Sequence, residues 1–193
     1  YESLNLDSGK SSTYLDVTLG KLKPITVFFM GEIGQLGAYQ VDSYSTAFTA
    51  LYYVGGPTLK GSLRDIQVIR NGEVIAHFDL YDYLLTGKHV NDVRLQNNDH
   101  IFIPPRGKTV TLNGEVLHPA IFELNENETL RDLIEFAGGL LTGADLNRLQ
   151  IDRVIPFVDR TGDGNTRTVL DYEFASFKKG KISVEKIKLA DLD

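Results

Sequence analysis

Apolar residues recur along this chain in two short rhythms, and each rhythm is used twice. Residues 25–30 (Ile-Thr-Val-Phe-Phe-Met) and 109–112 (Thr-Val-Thr-Leu) are rich in β-branched and aromatic side chains and predict strands. Gly31 and Gly114 interrupt them, where a bulge or a close backbone approach is the usual reason. Turns at 34–37 and 117–120 send the chain back through 38–41 and 121–124, which predicts a hairpin in each place. The rhythm then lengthens. Ala47, Ala50, Leu51 and Val54 stand at i, i+3, i+4 and i+7, and so do Leu130, Leu133, Ile134 and Ala137. Each set makes one apolar stripe along a short helix. Thr129 is the expected N-cap of the second helix, with Asp132 placed to reach back to the cap amide and to suit the helix dipole. Gly55-Gly56 and Gly138-Gly139 are expected to end the helices in the left-handed conformation. They resemble a phosphate loop in composition alone, because a helix C-terminus repels anions.

The anchors of the two stretches keep a constant offset of 83 positions. Thr26-Val27, Gly31-Glu32, Thr46, Gly55-Gly56, Leu63, Gln67 and Arg70 return as Thr109-Val110, Gly114-Glu115, Thr129, Gly138-Gly139, Leu146, Gln150 and Arg153, with no gap. This is an internal repeat. It predicts two small domains at 25–105 and 106–193, after a lead-in of 1–24 in which residues 14–19 alternate like a strand. Domains of that size bury only about 60% of their unfolded surface, so packing of one on the other is expected. Residues 104–108 (Pro-Pro-Arg-Gly-Lys) make a short, stiff joint between them.

Beyond the helix, the first repeat predicts a strand at 66–70, a hairpin turn at Asn71-Gly72, a return at 73–78, a short helix at 81–85 and a last strand at 100–103 stopped by Pro104-Pro105. The second repeat follows with 149–153, 168–170 and a weak segment at 174–177, and reaches Leu192-Asp193 where its last strand is expected to begin. Its closing strand is therefore expected to be truncated. The order of elements is that of a β-grasp, an α+β fold.

At these residues the chain resembles tandem SLBB (soluble-ligand-binding β-grasp) domains. The resemblance runs through Val27, Gly31-Glu32-Ile33, Gly37, Tyr39, Gly55-Gly56, Arg70, Leu95, Asp99, Ile101 and Ile103-Pro104. It recurs at Val110, Gly114-Glu115-Val116, Pro119, Phe122, Thr129-Leu130, Ala137-Gly138-Gly139 and Arg153. The usual Pro-Gly turn is split, with Gly37 alone in one repeat and Pro119 alone in the other. The polysaccharide-export domain that usually precedes such repeats is not among these residues. The resemblance implies a periplasmic part of an outer-membrane polysaccharide export protein of a Gram-negative bacterium. Its partners would be other copies of the full-length protein and the export machinery, with weak contact to polysaccharide. SLBB domains also occur in cofactor-binding settings, which implies a second reading as a small-ligand-binding module.

Charge and composition narrow the chemistry. A formal charge of −6 argues against a nucleic-acid surface, and the basic run 178–181 is too short to change that. There is no cysteine, hence no disulfide or thiolate site. No apolar run is long enough for a membrane-spanning helix. A start at Tyr1 reads as a piece of a longer protein. Ser8-Gly9-Lys10-Ser11 lacks the earlier glycine of a phosphate loop, since Leu4 stands there. His77, His89, His100 and His118 lack metal-site spacing. Residues 159–165 look like a calcium loop, but position 12 is Leu170 where a bidentate Glu is needed, so a polar turn is expected. No nucleophile and base are spaced for catalysis, so neither an enzyme nor a cofactor is expected. Arg70 and Arg153 recur at strand ends and remain candidates for anionic-sugar contact, although an internal carboxylate pair is the stronger expectation. Tyr81 and Tyr83 are candidate sugar-stacking rings. Together with Tyr52 and Tyr53 they are more strongly expected to pack inward.

Overall fold

The computed structural model of the protein describes residue 20 and residues 22–88, 91–145, 149–160, 166–172 and 187–193. The expectations placed on residues 8–11, 14–19, 161–165, 174–177 and 178–181, and on His89 and Leu146, fall outside these residues.

In the first repeat, β1 (Ile25–Gly31) pairs antiparallel with β2 (Gly37–Val41), and β3 (Ile66–Arg70) pairs antiparallel with β4 (Glu73–Phe78). The short β5 (His100–Ile103) lies between the two hairpins, parallel to β1 and antiparallel to β3, giving a sheet of order β2-β1-β5-β3-β4. One face carries Val27, Phe29, Ile66, Val68, Ile101 and Ile103, all buried. Helix α1 (Ala47–Val54) lays its stripe of Ala47, Ala50, Leu51 and Val54 on that core. Each Val, Leu, Ile or Phe side chain removed from water in this core stabilises the fold by about 1.5–3 kcal/mol.

Local sequence fixes the ends of these elements. Thr46 and Thr49 cap α1 reciprocally, Thr49 N donating to Thr46 Oγ1 at 3.3 Å and Thr46 N to Thr49 Oγ1 at 2.8 Å. Gly55 closes the helix with φ 77°. Asn71 and Gly72 both have positive φ, the geometry of a type I′ hairpin turn. Gly31 is required for a steric reason as well as its φ of +88°: a Cβ there would stand 2.0 Å from the Ile103 carbonyl oxygen. The second helix, α2 (Leu80–Thr86), extends the expected 81–85 by one residue at each end, because Asp79 caps its start and Gly87 its finish.

The second repeat uses the same order. β6 (Thr109–Leu112) and β7 (Ala120–Glu123) form one hairpin, and β8 (Leu149–Val154) and β9 (Arg167–Tyr172) another. Helix α3 (Leu130–Phe136) lies between them in sequence and buries Leu130 and Leu133. Asp132 accepts from Thr129 N and Thr129 Oγ1, both at 2.7 Å, as the cap spacing predicts. Two details differ from expectation. β7 sits one residue earlier than 121–124. The C-cap of α3 is Ala137, with φ −76°, and the left-handed Gly138 and Gly139 follow it. A second core gathers Val110, Val116, Phe122, Leu124, Leu130, Leu133, Ile151 and Leu189. Tyr81, from α2 of the first repeat, belongs to this second core.

Candidate functional site at the junction of the two repeats

Arg70 ends β3 and grips Asp99 with two hydrogen bonds, from Nε at 2.8 Å and Nη2 at 2.7 Å. The Asp99 side chain is fully buried and also accepts from Gln96 N. Arg153 ends in the same grip on Asp193, at 2.8 and 2.7 Å, and Asp193 accepts from Ala190 N. The backbone repeats too. Phe28 N donates to Asp99 O and Asn98 N to Thr26 O, as Thr111 N donates to Asp193 O and Leu192 N to Thr109 O. One turn is thus built twice, each time tying an arginine at a strand end to the first hairpin. Hydrogen bonding to the carboxylate raises the pKa of both arginines. Each guanidinium is engaged inside its own repeat, in the internal pair.

The tyrosines separate. Tyr83 is half-buried, its ring 4.1 Å from that of Phe48 on α1. Tyr81 points the other way, edge-on to Phe136 of α3 with centroids 5.5 Å apart. The two candidate rings therefore do not share a surface. Inward packing fails for two of the four: Tyr52 is 72% exposed and Tyr53 48%. The small Ala47, Ala50, Leu51 and Val54 already fill the buried face of α1, which turns both rings outward. His77 pairs with Asp65 at 2.5 Å, and His100 stacks on Phe28. Among the described residues no three His, Asp or Glu side chains converge on a point that could hold a metal ion.

Polar chemistry concentrates instead where the repeats meet. Arg64, seven per cent exposed, lies in the segment before β3 and makes four hydrogen bonds. Its Nε donates to Asp79 at 2.6 Å. Nη1 and Nη2 fork onto Glu128 at 2.9 and 2.6 Å, and Nη1 also reaches the Glu123 carbonyl at 3.0 Å. The guanidinium carbon lies 4.4 Å from the Tyr81 ring centroid and 5.3 Å from that of Phe136, within cation–π range of both. Burial pulls the pKa of Arg64 down, but the bonds to Glu128 and Asp79 outweigh it and the net shift is upward. For Asp79 burial wins and the carboxyl rises above its usual range despite Arg64. These directions pull opposite ways on one pair. The short Nε contact to a permanently charged guanidinium supports the ionised form at neutral pH.

A second anchor stands beside the first. Glu123, at the end of β7, is buried, and its carboxylate accepts from Ser62 Oγ, Leu63 N and Gly107 N, each at 2.8 Å. Its own N–H donates to the Tyr81 hydroxyl at 3.0 Å. That bond engages an amide of β7, and the same tyrosine ring fills space in the second core. The sequence pattern did not reveal Arg64, Glu123 or Glu128, because none belongs to the repeat: their counterparts at the 83-residue offset are Asn147, Gln40 and Ser45. Their departure from the repeat, within matched segments, is the signal that was available.

Two β-grasp units joined by a buried ion cluster define the molecule at the level of fold. Residues 26–78 and 109–170 match the SLBB domain family, and the chain belongs to it. Over 119 residues it is 29% identical to the polysialic acid transport protein KpsD of Escherichia coli, and two sequences of that protein match at this level. The aligned stretch is 61% of this chain and 21% of KpsD, so the chain spans about a fifth of the relative it matches.

Proposed function

We propose that this chain is a periplasmic part of an outer-membrane polysaccharide export protein of a Gram-negative bacterium, working through protein–protein assembly and the shaping of a conduit, without catalysis or cofactor. The observation that carries the reading is the paired SLBB match together with the likeness to a polysialic acid transport protein across most of the chain. The charge of −6 supports it, since an acidic surface repels an acidic polymer and lets it pass. The partners would be other copies of the full-length protein and the export machinery. The domain limits 25–105 and 106–193 form part of this proposal.

The alternative, a β-grasp module for a small sugar or cofactor, draws on the exposed rings of Tyr44, Tyr52 and Tyr53. A shallow hollow beside α2, lined by Phe48, Phe78, Leu80, Tyr83 and Lys88, has room for about one water molecule. Small-molecule sites usually enclose about 300–1,000 Å³. The test is genetic. A strain lacking the full-length gene is complemented with that gene deleted for these residues, and surface and periplasmic polymer are measured alongside the level of the truncated protein. Polymer retained in the periplasm is expected. Surface polymer at the wild-type level, with the truncated protein present, would overturn the proposal.

A further inference from the structure

Small domains in tandem move against each other by default unless the interface between them is large and hydrophobic. The junction here has three features that oppose such motion. The Arg64 side chain is buried and its guanidinium is shared, Nε to Asp79 of its own repeat and the Nη fork to Glu128 of the other. Glu123 holds Ser62 and Leu63 of the first repeat and Gly107 of the connecting segment on one carboxylate. The connecting segment is tied down on both sides, Arg106 N to Lys60 O and Leu124 N to Lys108 O, each at 2.8 Å.

We propose that Arg64 is the latch of a fixed joint, a positioning residue that holds the two SLBB units at one angle so that the chain is presented as a single rigid body. Two carboxylates, Asp79 and Glu128, meet this one guanidinium from opposite sides of the joint and have Arg64 as their common cation. Glu123 offers it a backbone carbonyl, its own carboxylate being taken up by Ser62, Leu63 and Gly107. Removing Arg64 leaves two like charges facing each other across the interface, so the joint opens where either unit alone would persist. Tyr81 reinforces the latch: it stands in the second core while its backbone belongs to α2, capped by Asp79, which Arg64 also holds.

The absence of cysteine makes the test direct. Cysteines placed at the exposed Tyr52 and Val169, one in each repeat, carry spin labels whose separation is read by pulsed dipolar spectroscopy on the whole chain. The unmodified joint is expected to give one narrow distance distribution. Arg64→Ala is expected to broaden it and shift its mean, while far-ultraviolet circular dichroism keeps its native shape. Glu128→Gln, which keeps the shape of the side chain and removes one charge, is expected to give an intermediate width. If Arg64→Ala unfolds the chain, Glu128→Gln alone decides, by its width against the parent. A narrow, unshifted distribution in a folded Arg64→Ala or Glu128→Gln chain would overturn the latch.

Discussion

The two repeats agree wherever the plan of the fold is set and differ wherever they face each other. Both place an arginine in the last two residues of the third strand, both tie it to a buried aspartate, and both cap the helix reciprocally through a threonine. At the junction the likeness stops. Glu123, Glu128 and Phe136 make the face that the first repeat covers, and the same positions in the first repeat are Gln40, Ser45 and Tyr53. Gln40 and Tyr53 are exposed there, Tyr53 to 48%, while Ser45 is buried within its own repeat. Shared positions thus encode how each unit folds, and a few substituted positions on one face encode which unit sits on which. The joint is asymmetric: Glu123 and Glu128 occur on one repeat, Arg64 and Asp79 on the other.

The comparison breaks most sharply at the strand-ending glycines. Gly31→Ala is expected to cost about 3–5 kcal/mol, because it adds a backbone clash to an unfavourable φ. A Cβ at Gly114 meets nothing within 4 Å, although φ is +106°. Gly114→Ala is therefore expected to cost about 1–2 kcal/mol. Denaturant midpoints of the two variants check this, and equal losses would mean that the carbonyl of Ile103 does not press on Gly31.

The arginine pairs should behave as twins. Arg70→Ala and Arg153→Ala each strand a buried carboxylate and are each expected to lose about 3 kcal/mol. Arg167→Ala removes a pair to Asp152 that is more than half exposed and is expected to lose about 0.5 kcal/mol or less. A loss from Arg153→Ala as small as that from Arg167→Ala would end the equivalence of the two turns.

The caps differ in one respect that pH can read. Thr129→Ala is expected to lower stability by about 0.5–2 kcal/mol through the cap of α3. The N3 residue of that cap is Asp132, whose carboxyl is held below its usual 3.8 by the Thr129 amide and then its hydroxyl. A depressed folded pKa means that the stabilisation is complete above 3.8 and is lost as pH falls through the lower folded value. In α1 the corresponding residue is Thr49, which has no such titration. Asp132→Asn should therefore flatten the acid limb of the midpoint-against-pH curve. An acid limb unchanged in Asp132→Asn would show that the cap is not what titrates.

Much of the architecture was legible because local chemistry and tertiary packing agree. The stripes, the caps, the Asn71-Gly72 turn and the obligatory Gly31 all follow from rules that act within a few residues. The end of the second repeat was harder to read. Leu189 and Asp193 answer to Leu95 and Asp99, but eleven more residues separate them from the preceding anchors, and a gapless comparison passes over them. The junction was hidden for a different reason. Arg64 and Glu128 are 64 positions apart, and nothing local marks an arginine that serves a partner so distant in sequence. Tyr52 and Tyr53 were misjudged because helix periodicity assigns a face, while four small apolar residues suffice to fill the core beneath α1.

Under the proposed function this pair of SLBB units works by assembly and lets polymer pass without gripping it. Titration calorimetry of the whole chain with polysialic acid oligomers tests it most directly. No saturable heat of binding is expected, as the charge of −6 and the internally engaged Arg70, Arg153 and Arg64 imply. A tight, saturable, one-to-one complex would contradict it and establish the ligand-binding alternative.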